Sequence, residues 1–368
     1  MTESFPLFLA AQPGLEDALA DEARAAGFDT PSVTPGGVET RGDFAEMMRA
    51  NLVLSGAGRV LVRITAFRAF HLAQLDKRAR KVDWGAWLPP GTPVRIEASC
   101  RKSKIYHDRA AAQRVAKAAG QAGLIPATGE ARDAVRLVTR IEDDLVTLSL
   151  DTSGAPLHRR GLKEFVGKAP LRETMAALFL RQAGYDGQMP LVDPMCGSGT
   201  ILLEGAAVAA GVHPGRARNF AFERFTQFEP NAWQALRGSA DPALGSTRLY
   251  GYDRDQGAIQ GARQNAARAG VDTLCQFTCQ PVSGLIPPVD GPGLVMVNPP
   301  YGARIGNKKL LFGLYGALGQ VLRERFADWR VGIITSDAGL ARATGLPLAA
   351  GPRIAHGGLT VQLWQTSH

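Results

Sequence analysis

Apolar and polar positions in the first part of the chain switch repeatedly between the two-residue period of strands and the 3.6-residue period of helices. Phe5-Pro-Leu-Phe-Leu-Ala10 reads as a strand, and Gly14 to Ala26 as an amphipathic helix with Leu15, Ala18, Leu19 and Ala23 on one side. Gly27 fits a helix stop. Val33 to Thr40 reads as a strand bounded by Pro35-Gly36-Gly37, Asp43 to Leu54 as another helix, and Arg59 to Phe70 as a strand. So much alternation in so short a span predicts a small α+β, ferredoxin-like domain over residues 1–65.

The next stretch, residues 66–155, carries its pattern with more charge. Leu72 to Trp87 is helix-like, Pro89-Pro-Gly-Thr92 is a turn, and Pro93 to Ser99 alternates as a half-exposed strand ending in Arg101-Lys-Ser-Lys104. A helix follows from Asp108 to Ala122, and Val135 to Arg140 pairs with Asp144 to Leu150 as a hairpin around Glu142-Asp143. The cations Arg101, Lys102 and Lys104 at the strand tip, with Arg109, Arg114 and Lys117 on the helix, are candidates for contact with an RNA backbone. A solvated basic face without a partner is the alternative. Residues 156–170 form a connector in which His158, Arg159, Arg160, Lys163 and Lys168 would make a cationic ribbon, with an ordinary charged linker as the rival reading.

From residue 171 to 368 the pattern becomes that of an open α/β sheet. Leu171 to Ala183 forms a helix, and Leu191-Val192 a short buried strand that ends in Asp193. The turn Pro194-Met-Cys-Gly-Ser-Gly199 then leads into a helix starting near Thr200. Glycines at 197 and 199 let the backbone approach a ligand, and the helix start adds free N–H groups. A dinucleotide fingerprint would need a third glycine where Leu202 stands, and a phosphate loop would need lysine in place of Thr200. A ligand carrying an amino acid and a ribose suits the corner better, and S-adenosylmethionine is such a ligand. Residues 211–245 interrupt the rhythm with Phe220, Phe222, Phe225 and Trp233, expected to pack the insert onto the sheet, and with Arg216 and Arg218, which could reach RNA. Rhythm resumes with the strand Arg248 to Tyr252 and the helix Gln256 to Ala269, for which Asp255 is the natural N-cap. Asp253 is thereby left for the two hydroxyls of a ribose. A third strand, Leu274 to Thr278, precedes Gln280-Pro281-Val282-Ser283. Leu294 to Val297 is a buried strand, and Asn298-Pro299-Pro300-Tyr301 stands at its carboxyl end, where ligands bind in this architecture. Two prolines stiffen that turn. The Asn298 amide and nearby carbonyls would accept from an exocyclic amine, with Tyr301 placed to stack on a planar ring. Helices over 310–325 and 338–344, a strand over 330–335 and a terminal strand pair complete the sheet.

Composition sets limits. The 368 residues are 45% hydrophobic and 21% charged, enough for two or three domains with substantial cores. No apolar run reaches membrane-spanning length, and the N-terminus lacks a cationic region ahead of a hydrophobic one, so a cytoplasmic protein without membrane association, and a monomer, is expected. A net charge of +8 fits a polyanionic partner. Cys100, Cys196, Cys275 and Cys279 are scattered without completing a Cys/His set, so reduced thiols and no metal are expected.

Asp193-Pro-Met-Cys-Gly-Ser-Gly-Thr200 together with Asn298-Pro-Pro-Tyr301 resembles motifs I and IV of the class I amino-methyltransferases. Leu157-His-Arg-Arg-Gly161, Ala169-Pro-Leu-Arg-Glu-Thr174 and the opening Pro13-Gly-Leu-Glu16 narrow the resemblance to THUMP-containing RNA methyltransferases, most of all the bacterial 23S rRNA guanine-N2 group. The resemblance implies a Rossmann-like catalytic half behind a ferredoxin-like and THUMP-like N-terminal region. It implies S-adenosylmethionine as cofactor, held by Thr174, Asp193, Met195, Cys196, Gly197, Ser198, Gly199, Thr200, Asp253, Gln280 and Asn298. Asn298, Pro299, Pro300 and Tyr301 would form the catalytic elbow, and the basic set with Arg159, Arg160 and Lys163 the RNA contact. One departure stands out: relatives carry Asp where Pro281 stands, which leaves adenine recognition to Gln280, Ser283 or backbone groups. The alternatives are a tRNA guanine-N2 methyltransferase, a protein-glutamine or DNA-adenine methyltransferase, and a non-catalytic RNA-binding assembly factor.

Overall fold

In the strand Phe5–Ala10 (β1) every second residue is buried, and Leu7 and Leu9 are completely so; this is the strand on which the first sheet is built. The computed structural model describes residues 4–127, 133–165, 171–239, 248–302 and 308–367. After β1 come α1 (Glu16–Ala25), β2 (Asp29–Thr34), β3 (Gly37–Gly42), α2 (Phe44–Val53) and β4 (Arg59–Arg68). They are followed by α3 (Leu72–Ala79), β5 (Pro93–Arg101), α4 (Asp108–Gln121), β6 (Ile125–Pro126), β7 (Val135–Glu142) and β8 (Leu145–Asp151). All eight strands join one sheet in the order β2-β3-β1-β4-β8-β7-β5-β6.

The strand β4 is shared. Its first residues pair with β1, and Leu61 to Arg68 pair with β8 across a register slip between Arg63 and Thr65. The boundary expected at residue 65 thus coincides with a bulge inside one strand, and residues 1–11 and 23–157 fall in one compact unit with 218–239.

Three local expectations shift. The single strand expected over 33–40 is a hairpin, β2 and β3, because Pro35-Gly36 turns the chain back on itself. The helix expected to reach Trp87 ends at Ala79, where the buried Trp84 donates its indole N–H to the Ala79 carbonyl at 3.1 Å and so satisfies a helix-end acceptor. The hairpin after β7 turns at Asp143-Asp144, both with positive φ (49° and 63°), one residue later than expected; tight hairpins favour Asp there.

The second unit comprises residues 12–22, 158–217 and 240–368. The elements after β8 are α5 (Glu173–Gln182), β9 (Leu191–Asp193), α6 (Thr200–Ala209), α7 (Pro230–Arg237), β10 (Leu249–Asp253), α8 (Gln256–Ala269) and β11 (Cys275–Cys279). Then come β12 (Leu294–Val297), α9 (Lys308–Arg325), β13 (Arg330–Thr335), α10 (Ala338–Ala343), β14 (Leu348–Ala350), β15 (Ile354–His356) and β16 (Leu359–Thr366). The sheet order is β11-β10-β9-β12-β13-β16-β14, parallel except for β16, with β15 paired to β16. This is a Rossmann-like α/β sheet. The chain leaves β9 towards β11 on one side and returns through β12 on the other, so the order reverses between β9 and β12, and ligands bind at the carboxyl ends of such a pair. Val295, Val297, Tyr315, Leu318 and Ile333 are completely buried in the core under β12.

The aromatic insert belongs to the first unit. Phe222 and Trp233 cross edge-on at 5.0 Å, Phe220 stacks on Phe222 at 5.1 Å, and Phe44 of α2 meets Phe222 at 6.5 Å. The rings pack, but against α2 of the first unit rather than onto the α/β sheet as expected. Arg218 is buried and donates to the carbonyls of Ser153, Ala155 and Pro156. Arg216 donates to the carbonyls of His213 and Ala269. Neither is an RNA-facing cation, in contrast to the expectation from charge alone.

Trp233→Ala should cost about 3–5 kcal/mol of stability, as loss of a buried aromatic does, read from chemical denaturation monitored by far-UV circular dichroism. An unchanged midpoint would show that the insert contributes no cohesion to its unit.

Candidate active site

Asp193 ends β9 fully buried, and the Met195 N–H donates to its Oδ1 at 3.1 Å. Burial pushes its carboxyl up to about 8, the Asp253 charge adding to the effect and the Met195 bond opposing it. The loop beyond is held from its own backbone and from β10: the Cys196 N–H donates to the Tyr252 carbonyl at 2.8 Å, and the Gly199 N–H to the Cys196 carbonyl at 2.8 Å. Gly197 donates to Asp253 Oδ2 at 3.0 Å.

The two glycines differ. Gly197 has φ +51°, and a Cβ built on it would meet nothing within 4 Å, so backbone is open there to a close neighbour. Gly199, at φ +84°, faces protein: its Cβ would stand 3.3 Å from Ala262 and 3.6 Å from the Phe277 ring. Its freedom serves the left-handed cap of α6 and the approach of α8, not the ligand approach expected of both glycines.

Asp255 caps α8 by accepting from the Gly257 and Ala258 N–H groups at 2.8 and 3.3 Å, as its position in sequence suggests. Asp253 is half-buried; its Oδ1 accepts the Asp255 N–H at 2.9 Å and its Oδ2 that of Gly197. Each oxygen keeps a lone pair for one further donor. Gln280 is half-buried and donates its N–H to the Asp253 carbonyl at 2.9 Å, while Pro281 is exposed.

On the neighbouring strand, Leu294 and Val295 lie opposite Leu191 and Val192 in parallel register, so the loops after β9 and β12 emerge at the same edge of the sheet. Pro299 is buried and Pro300 half-buried. Asn298 Oδ1 is buried and accepts no hydrogen bond from the described residues. A native structure rarely leaves a buried acceptor empty, and one at the carboxyl end of the strand beside a switch point suits a donor brought by a ligand. Tyr301 packs partly on the core beneath β12, and burial pushes its phenol up to about 12, so its hydroxyl stays protonated at neutral pH.

Around the glycine loop lies a polar framework that sequence reasoning missed. Asn265 is completely buried; its Nδ2 donates to the Ser198 carbonyl at 3.1 Å and the Phe165 carbonyl at 3.0 Å, and its Oδ1 accepts from the Glu164 and Phe165 N–H groups. A polar residue on the same helix face as Ile259, Ala262 and Ala266 was the available signal. Lys163 donates to Thr200 Oγ1 at 2.7 Å and to Glu173 at 3.1 Å, with Ser198 Oγ 3.4 Å from Thr200 Oγ1. This tie brings the first turn of α5, with the buried Thr174, to the start of α6.

Among the described residues of the connector, most of the cations expected to form a ribbon are taken up by the fold. Arg160 is 7% exposed and makes two hydrogen bonds to the buried Glu204, at 3.2 and 3.0 Å. Lys163, 10% exposed, is committed to Glu173 and Thr200. Burial pushes His158 down to about 4, so it is neutral at physiological pH. Arg159 is exposed, and Lys168 lies outside the described residues. Arg160 and Lys163 are therefore corrected from RNA contacts to structural cations: a carboxylate reaches each before a phosphate can. Arg101, Lys102, Lys104, Arg109, Arg114 and Lys117 are exposed, as expected.

A parallel sheet that reverses between a glycine-loop strand and an Asn-Pro-Pro-Tyr strand defines a nucleotide-binding α/β domain of the methyltransferase type. Residues 160–348, more than half of the chain, match the RMKL-like methyltransferase domain, and residues 6–61 match the RlmL ferredoxin-like domain. The chain belongs to the RMKL-like methyltransferase family. A Chromohalobacter salexigens protein named ribosomal RNA large subunit methyltransferase K/L is 35% identical over 366 residues, covering 94% of this chain and 50% of that protein. The chain spans about half the length of the curated relatives of that name. Among solved structures, a Listeria monocytogenes protein described as a predicted N6-adenine-specific DNA methylase is 30% identical with a TM-score of 0.89, covering 99% of this chain and 96% of that one. SMU.472, solved in complex with SAH, is 26% identical with a TM-score of 0.88, covering 99% and 98%.

Arg160→Ala strands the Glu204 carboxylate in the core and should cost about 3–5 kcal/mol in chemical denaturation; a change under about 1 kcal/mol would restore Arg160 to the surface set. Asp193 has a raised folded pKa, so its share of stability is complete below about pH 4 and is lost as pH rises through about 8. Asp193→Asn should accordingly match the wild type in melting temperature near pH 4 and exceed it increasingly up to pH 9, in scans without cofactor. Parallel curves would refute the burial penalty.

Proposed function

We propose that the chain transfers a methyl group from S-adenosylmethionine to the exocyclic N2 amine of a guanine in structured RNA, with 23S rRNA as the substrate that the names of its relatives suggest. The cofactor reading draws on the SAH complex of SMU.472 and on fit. The space beyond Gly197 admits close backbone contact, and Asp253 keeps two acceptor positions for vicinal hydroxyls. Thr174, Asp193, Met195, Cys196, Ser198, Thr200 and Gln280 would form the rest of its surroundings. When bound, the cofactor supplies an electrophilic methyl on a sulfonium whose leaving group is neutral.

The protein's own work is alignment and acceptance. Asn298 Oδ1 and the Pro299 carbonyl would accept the N–H bonds of the target amine, favouring the pyramidal geometry that frees its lone pair. Pro299 and Pro300 keep those acceptors fixed, so little reorganisation accompanies reaction. Tyr301 would stack on the extruded base, because a paired nucleotide cannot enter such a crevice. The observation that carries this reading is the buried Asn298 Oδ1, which has no hydrogen-bond partner among the described residues. It favours an exocyclic amine over the ring N7 of guanine, which has no N–H to give. The exposed cations Arg101, Lys102, Lys104, Arg109, Arg114 and Lys117 would meet phosphates. A second reading, transfer to adenine N6 in DNA, follows from the description of the Listeria structure and uses the same amine acceptor.

Asn298→Ala should lower methyl transfer by about a hundred- to a thousandfold, the scale for removing a positioned transition-state contact, while calorimetric affinity for S-adenosylmethionine, near which the resemblance also places Asn298, falls by less than about tenfold. Lost cofactor affinity would sink this division of roles. Mass spectrometry of nucleosides from rRNA, tRNA and DNA methylated by the purified chain separates N2-methylguanosine from N7-methylguanosine and N6-methyladenine; any product other than the first overturns the specificity proposed.

A further inference from the structure

Tyr106 is 84% exposed, the most exposed large apolar side chain among the described residues. An isolated exposed hydrophobe is ordinary. Three features set this one apart.

Its support is fixed. Ile105, the residue before it, is buried. The Cys100 N–H donates to Asp108 Oδ1 at 2.7 Å, the Lys104 N–H to Asp144 Oδ1 at 2.7 Å, and the Asp144 N–H to Ser103 Oγ at 3.0 Å. The loop between β5 and α4 is thus tied on both sides of the ring, which lowers the ordering cost of any contact the ring makes. Second, cations outnumber acids along the loop, although Asp144 of the β7–β8 turn also reaches it, with Oδ1 on the Lys104 N–H. Residues 101–109 hold Arg101, Lys102, Lys104 and Arg109 against the single carboxylate of Asp108, one oxygen of which is taken by Cys100. Third, Tyr106, His107, Asp108 and Arg109 line a shallow depression, leaving room beside the ring for a planar group.

A rigid exposed ring amid cations is the combination by which proteins hold single-stranded nucleic acid: bases stack on the aromatic face while cations follow the backbone. A duplex offers phosphates but no free base face at this position. We propose that Tyr106 stacks on an unpaired nucleobase of the substrate RNA, with Lys102 and Arg109 on the flanking phosphates, so that the first unit selects RNA with a single-stranded element. The inference rests on the RNA reading above and adds a residue and a structural preference to it.

The test uses the full chain and a fluorescein-labelled single-stranded RNA of about 12 nucleotides, within the span such surfaces cover, beside the same sequence as a blunt duplex. Anisotropy titrations at several salt concentrations give affinity and salt slope. Tyr106→Ala should weaken single-strand binding roughly 5- to 150-fold, the range for losing one stacked base, leaving the salt slope, duplex binding and melting temperature unchanged. Tyr106→Phe and Tyr106→Trp should stay within about twofold of wild type, since each keeps an aromatic face. Arg109→Ala should lower the slope by about one. Wild-type binding to single strands that Tyr106→Ala leaves intact, or a loss shared equally by the duplex, overturns stacking while the RNA reading stands. A wild-type chain that binds neither RNA overturns both.

Discussion

Parallel pairing of β9 with β12 is the constraint on which the second unit depends. The two strands are far apart in sequence, and their register sets Asp193 and Asn298 at the ends of neighbouring strands on one edge. Had β12 added beyond β11 instead, the elbow would stand two strands away from the glycine loop. Parallel strands joined by right-handed crossovers leave little choice once the order has reversed, and the edge shared by the two loops is a product of that topology.

The loop at that edge is shaped by polar groups that are mostly buried. Asp253 ties Gly197 to β10, Asn265 ties Ser198 to residues 164 and 165, and Lys163 joins Thr200 to Glu173. Each makes bonds that only one arrangement of the loop satisfies, which is how a polar network selects a single conformation. Asn298 Oδ1, at the same edge of the sheet, is a buried acceptor without a hydrogen-bond partner among the described residues. A site held this firmly lets binding act on the ligand rather than on the protein.

Charge is sorted by the fold rather than by composition. The chain carries a net +8, yet Arg160, Lys163, Arg216 and Arg218 are spent on carboxylates, hydroxyls and carbonyls of their own unit. In the first unit the cations between β5 and α4 stay exposed, because Asp108 and Asp144 are spent on backbone N–H groups of the loop and the apolar face of α4 turns inward through Ala111, Val115 and Ala118. A cation count alone cannot separate these two populations.

Much of this was legible from the sequence. The two-residue and 3.6-residue periods located most strands and helices, and Asp193-to-Thr200 with Asn298-to-Tyr301 marked the two loops that the fold brings to one edge, because such turn chemistry is local and read from a few adjacent residues. Asp255 as cap and Asp253 as the residue left over were likewise matters of neighbours in the chain. What tertiary structure alone decided was every pairing at a distance: β4 serving both halves of one sheet, the aromatic insert joining α2, and Glu204 claiming Arg160 across 44 positions of sequence. A long cationic side chain takes whichever acceptor the fold brings within reach, and periodicity carries no information about which one that is.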